Sequence, residues 1–190
     1  MSENGVDRVK LEAAVLAILE AIGEDPTRPD LRRTPERAAR MFEEMFGGLL
    51  INPEAFLEET LRQEHQELIV LRDISVHSMC EHHLVPMTGI AHIGYIPNGR
   101  IVGFDRLAKV VDAYARRPQV QERLTQQIAD LIHAMLQPTG VAIHMELEHM
   151  CMTIRGIRET QSRVITTAYR GVFREDPALR AEFNSMIAPA

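Results

Sequence analysis

The 190-residue chain has no tryptophan, only two cysteines and 5% aromatic residues. Two cysteines cannot build the disulfide framework of a small secreted domain, and in a reducing compartment both stay free thiols. No run of about eighteen apolar residues occurs, so the sequence offers no membrane-spanning helix. The opening MSENGVDRVK lacks the basic, apolar and small-residue blocks of a secretory signal, and a cytoplasmic location is the expectation. Basic charge is also scarce. The 21 Lys and Arg stand against 27 Asp and Glu, a net −6, which is the wrong balance for a surface that neutralises phosphates. Neither nucleic acid nor membrane is an expected partner, although Arg155, Arg158, Arg163 and Arg170 gather in the last third and leave room for a local anion pocket.

What is present suits one globular unit: 45% of residues are apolar, and the length suffices for a core without staples. Residues 1–65 read as a helical region. The Ala- and Leu-rich stretch 6–22 ends at Gly23, TPERAARMFEEMF begins with Thr34 and Pro35 and stops at Gly47 and Gly48, and Asn52-Pro53 starts a third short helix. Residues 66–175 change texture. ELIVLRDISVHSM and TGIAHIGYIP read as strands, the second ending in the Pro97-Asn98-Gly99 turn. A helix carries Leu107, Val110, Val111 and Tyr114, and a longer one is expected to open at Pro118 with the stripe Val120, Leu124, Ile128, Leu131 and Met135. On that stripe Gln121 and Glu122 fall off the apolar face and are expected to point away from the sheet.

GVAIHMELEHMC and SRVITTAYRGVF supply two further strands, the first with Val141, Ile143, Met145, Leu147, His149 and Cys151 on one face. The fold class is α+β, an antiparallel four-stranded sheet with two helices on one face, preceded by N-terminal helices and followed by a tail at 176–190. Its open edges make oligomerisation an expectation.

The chemistry concentrates in CEHH at 80–83 and HMC at 149–151. Zinc takes thiolate and imidazole in a tetrahedral set, and a catalytic site keeps three protein ligands with the fourth place open. Cys80, His83 and Cys151 make three such ligands. His82 and His149 lie within two residues of them, placed to carry protons. The bland alternative is packing, since cysteine is often a buried apolar residue and a lone histidine usually structural. The combination of a C-x-x-H pair with a second histidine and thiol on one strand favours the metal. HME at 144–146 matches half of a nucleobase deaminase signature, but no P-C-x-x-C follows.

CEHH, AHIGYIPNGRIVG, RRPQVQERLTQQI and HMCMTIRGIR, in this order and spacing, resemble the GTP cyclohydrolase I family from about Arg28 to Phe173. The resemblance implies the tunnelling fold, a homodecamer with active sites at subunit interfaces, Zn2+ as cofactor and GTP as substrate. It implies hydrolytic opening of the guanine imidazole ring at C8, release of formate and closure to 7,8-dihydroneopterin triphosphate. By family pattern Cys80, His83 and Cys151 match the metal ligands and His82 and His149 the acid-base histidines. Glu122 matches the carboxylate that reads the guanine edge, with Gln121 beside it, and Arg37 and Arg155 match triphosphate contacts. Where the family has G-L-S-K-x-x-R, this chain has GFDRLAK: Arg106 and Lys109 keep the charges, and Asp105 replaces the serine. Asp105 reads either as an N-cap or as a carboxylate that competes with phosphate at a helix start. An aromatic pair common in the family is replaced by Val76 and His77. Rival readings are a paralogue opening another purine nucleotide and a catalytically silent nucleotide-binding homologue.

Overall fold

The computed structural model describes residues 5–188. Helix α1 (Arg8–Ala21) begins at Asp7, whose carboxylate accepts the Lys10 N–H at 3.1 Å, and it stops before Gly23, where φ is +84°. Helix α2 (Thr34–Met45) has Pro35 in its first turn. Two single 3-10 turns follow, Gly47–Leu50 and Pro53–Phe56, the second capped by Asn52. Then come β1 (Leu61–Arg62), β2 (Ile69–Cys80), β3 (Pro86–Ile96), β4 (Arg100–Ile101), α3 (Phe104–Ala115), β5 (Pro118–Gln119) and α4 (Gln121–Leu136). The chain closes with β6 (Gly140–His149), a one-turn α5 (Met150–Thr153), β7 (Val164–Gly171), a short α6 (Val172–Glu175) and α7 (Pro177–Ile187). No helix among the described residues is long and apolar enough to cross a membrane.

The α+β architecture is the one expected. Strands β2, β3, β6 and β7 form an antiparallel sheet, and α3 and α4 bury Leu107, Val110, Leu124, Ile128 and Ile132 in one core with Val76, Ile93, Ile143, Met145 and Leu147. These last three alternate along β6 because successive side chains point to opposite faces. A fifth strand is an addition. Pro118 does not open the long helix; β5 runs parallel to β2, with Met79 opposite Pro118 and Cys80 opposite Gln119. The helix starts only after Val120, which is extended at φ −112°, ψ 143°. On the opposite face of the sheet, Ala142 packs with Phe173, Phe183 and Ile187. Arg72 holds the end of α7 there, donating to the carbonyls of Met186 and Ala188.

Register places the chemistry. Met79 faces Pro86 across β2 and β3, and Met87 faces His149 across β3 and β6. The end of β2, the start of β3 and the end of β6 therefore share one end of the sheet. Further along, β2 bulges between Leu71 and Ile74. There Asp73 adopts φ +60° and its N–H donates to His92 Nδ1 at 3.1 Å, so the extra residue leaves no stranded donor.

Gly89 sets how closely β3 and β6 approach. A Cβ there would lie 2.1 Å from the Glu146 carbonyl oxygen and 2.9 Å from the Leu147 Cα, both backbone atoms that cannot swing aside. Overpacking of this kind costs about 1–3 kcal/mol, or roughly 2–12 °C of melting temperature for a domain of this size. Gly89→Ala is expected to lower the thermal midpoint by that amount, and an unchanged midpoint would show that the strands part freely.

Candidate metal centre and its surroundings

Cys80 is the last residue of β2, and the chain turns at once. Leu84 N–H donates to the Cys80 carbonyl and Cys80 N–H to the Val85 carbonyl, both at 2.9 Å, while Leu84 takes the left-handed conformation at φ +51°. This tight reversal carries Glu81, His82 and His83 over the sheet end. Neighbouring segments fasten it. Glu81 N–H donates to the Gln119 carbonyl at 3.0 Å, and Ser78 Oγ donates to the Ala115 carbonyl at 2.7 Å. The Glu81 carboxylate pairs with Arg123 on α4, and that hydrogen bond holds its pKa below the usual value. The acid in CEHH is therefore a tether rather than a ligand. Gln119 completes the fastening, donating to the Tyr114 carbonyl and to Gln127 and accepting from Arg123 at 3.1 Å.

From β6, His149 ends the strand and Cys151 falls on α5. The alternation that placed Cys151 on the strand face thus ends at His149, two residues before it. The tight turn still directs the thiol onto the same core cluster that contains Cys80. The outcome is a compact donor set: one ligand atom from each of Cys80, His83 and Cys151, all within 4.8 Å of one another. Both cysteines are free thiols. Burial first, and then the neighbouring Cys80, push the Cys151 thiol up, as expected of two sulfurs that share a place suited to one cation.

Tetrahedral zinc, with about 2.3 Å to sulfur and 2.0–2.1 Å to nitrogen, would hold such donors about 3.5–3.8 Å apart. The observed limit of 4.8 Å between donors accommodates that spacing. Two soft sulfurs and an imidazole also match the donor preference of zinc. His83 has one engagement that matters here: its Nε2 lies 2.8 Å from Arg155 Nη1. A guanidinium only donates, so the Nε2 lone pair is committed to Arg155.

His82 Nδ1 lies 3.8 Å from Cys80 Sγ. His149 Nε2 lies 2.7 Å from Gln121 Oε1, and burial pushes its imidazole below the ordinary pKa, with Glu122 nearby opposing. Glu122 itself is exposed in the first turn of α4. Gln121 corrects the expectation that it points away from the sheet. It is fully buried and donates into β6 and β7. Periodicity misplaced it because Val120 precedes the helix; the buried face runs through Gln121, Leu124, Thr125, Ile128 and Ile132.

The remaining sequence candidates lie elsewhere in the single chain. Arg37 is exposed on α2. Asp105, Arg106 and Lys109 occupy the start of α3. Asp105 is not the N-cap, which is Gly103. It sits one residue inside the helix, pairs with Lys109 at 2.8 Å, and is held below its ordinary pKa by that bond. Arg106 pairs with Glu59 and donates to the Phe56 carbonyl. Asp105 and Lys109 line a cavity of about 590 Å³ with Leu71, Ile74 and Ser75. Ser75 is five strand residues, roughly 17 Å, before Cys80.

The comparisons with known proteins agree on one assignment. The family model described as GTP cyclohydrolase I matches residues 11–188. A protein named GTP cyclohydrolase 1 from Desulforamulus reducens is 52% identical over 182 residues, covering 95% of this chain and 97% of that one. Its namesake from Carboxydothermus hydrogenoformans is 52% identical over 183 residues, covering 96% and 95%. Another, from Thermobifida fusca, is 51% identical over 185 residues, covering 96% and 89%. With a matching family model and identities near one half over almost the whole length, the chain belongs to the GTP cyclohydrolase I family.

Proposed function

We propose that this chain hydrolyses GTP in the manner of its family, opening the guanine imidazole ring at C8 to release formate and closing to 7,8-dihydroneopterin triphosphate. The observation that carries the reading is the Cys80, His83 and Cys151 set within 4.8 Å, flanked by His82 and His149, in a chain of that family. The proposed ion is Zn2+, held by those three side chains. When bound, it supplies Lewis acidity that activates a water molecule near neutral pH.

The protein's own groups do the rest. His82 and His149 exchange protons with the purine ring nitrogens as C–N bonds break. The exposed carboxylate of Glu122 accepts two N–H groups from the guanine edge. Arg155 is the link between metal and phosphate. If His83 held the metal through Nε2, or through Nδ1 with Nε2 protonated, Nε2 would have no lone pair left for the Arg155 N–H groups, and the guanidinium would be free to donate to another acceptor such as the substrate triphosphate. Arg37, Arg106 and Lys109 add positive charge for the same phosphates. Since the start of α3, with Asp105 and Lys109 beside Ser75, lies roughly 17 Å of strand from Cys80 within one chain, these contacts are supplied across subunits of a homo-oligomer, a decamer by family pattern.

Formate release from GTP, with zinc quantified on the same sample, tests the reading. Metal near one equivalent per chain and turnover of GTP are expected; stoichiometric metal with no formate from GTP would overturn it. Two substitutions divide the roles. Cys151→Ser loses metal and turnover together, whereas His149→Ala keeps the metal and loses turnover by about 100-fold or more. Equal metal content in wild type and Cys151→Ser removes that ligand assignment.

Asp105 has its own expected effect. Its carboxylate occupies Lys109 and adds a like charge beside the proposed phosphate path. Asp105→Ser is expected to lower the KM for GTP by about fivefold, the factor that a like charge at about 4 Å costs even in bulk water. An unchanged KM would place Asp105 away from the triphosphate.

A further inference from the structure

Gln121 has no exposed surface, and its side-chain amide meets four partners. The amide nitrogen lies 3.1 Å from the Met145 carbonyl, 2.9 Å from the Val164 carbonyl and 3.1 Å from Thr166 Oγ1. The amide oxygen lies 2.7 Å from His149 Nε2. A carbonyl oxygen only accepts. Rotating the amide by half a turn would set its oxygen against two other oxygens and strand buried polar groups, so its orientation is fixed by chemistry.

The hydroxyls agree with this assignment. Thr125 Oγ1 donates to the Gln121 main-chain carbonyl at 2.8 Å and lies 2.6 Å from Thr166 Oγ1. With the Thr125 proton used in this way, Thr166 is the donor between the two hydroxyls. Its oxygen is left as an acceptor, and the two Gln121 amide protons are shared among it and the Met145 and Val164 carbonyls. The amide oxygen then faces His149 as an acceptor, which requires a proton on Nε2. In a neutral imidazole the lone pair is on the other nitrogen, Nδ1.

We propose that Gln121 is a positioning residue that holds His149 as the Nε2–H tautomer and thereby reserves Nδ1 as the nitrogen that takes or delivers a proton during ring opening. The second half rests on the proposed role of His149 as a proton carrier. Gln121 acts from behind His149, enclosed between α4, β6 and β7, instead of touching the nucleotide with its side chain.

The test is magic-angle-spinning NMR of the zinc-loaded holoenzyme labelled with 13C,15N-histidine, the His149 signals being those missing from His149→Ala. Wild type is expected to show a protonated Nε2 and a bare Nδ1 at this residue; a protonated Nδ1 with a bare Nε2 overturns the proposal without any variant. In Gln121→Met the acceptor is gone. A mixed tautomer signal and a fall in kcat of about 10–100-fold, the usual range for groups that orient a site residue, are expected with KM and zinc content unchanged. Wild-type kcat in that variant counts against the positioning role. Thr166→Val leaves both carbonyl anchors in place and is expected to keep the Nε2–H tautomer; loss of that tautomer would mean that the carbonyls do not fix the amide. Full turnover in His149→Ala would remove the proton-carrier reading whichever nitrogen bears the proton, so the two failures are told apart.

Discussion

Everything at this site depends on strand register. Met79 opposite Pro86 and Met87 opposite His149 bring a hairpin turn and a strand end, about seventy residues apart in sequence, to the same edge of one sheet. A slip of one residue would turn every side chain of the moved strand to the other face, separating Cys80 from Cys151. The alternation of Val141, Ile143, Met145 and Leu147 into the core guards against that slip, because it would carry Met145 and Leu147 to the half-exposed face of His144, Glu146 and Glu148. Hydrophobic burial in the middle of β6 thus fixes the candidate donors at its end.

The protein surrounds this rigid frame with groups whose hydrogen-bonding options are almost exhausted. Gln119 and Gln121 are both buried amides with several partners, one below the ligand turn and one behind His149. Buried amides of this kind are costly unless fully paired, and when fully paired they admit a single arrangement. The exposed side is the reverse. His82, His83, Arg155 and Glu122 lie at the surface, free to exchange partners as ligands arrive.

Much of this was legible in the residues. CEHH and HMC mark the donor set, since thiols are so few that their pairing with histidine is informative. The strand alternation and the α+β order follow from periodicity. Other features were hidden for identifiable reasons. Pro118 looks like a helix start because proline suits that place, yet the backbone stays extended through Val120 to pair with β2. Counting the stripe from Val120 turned Gln121 outward, although its spacing to Leu124 and Thr125 is that of the buried face. Asp105 resembles a cap, but Gly103 already begins the helix and leaves Asp105 to Lys109. No local pattern reveals that Glu81 belongs to Arg123, because that pair spans two elements.

The Arg123 bridge has a mechanical corollary. It ties the loop bearing two histidines to the opening turn of α4, the same turn from which Gln121 and Glu122 project. Displacing that helix end would drag the loop with it, so the candidate metal donors, Glu122 and the Gln121–His149 pair shift as one body. Wear at this joint would not show as failure of one part; it would loosen all three together.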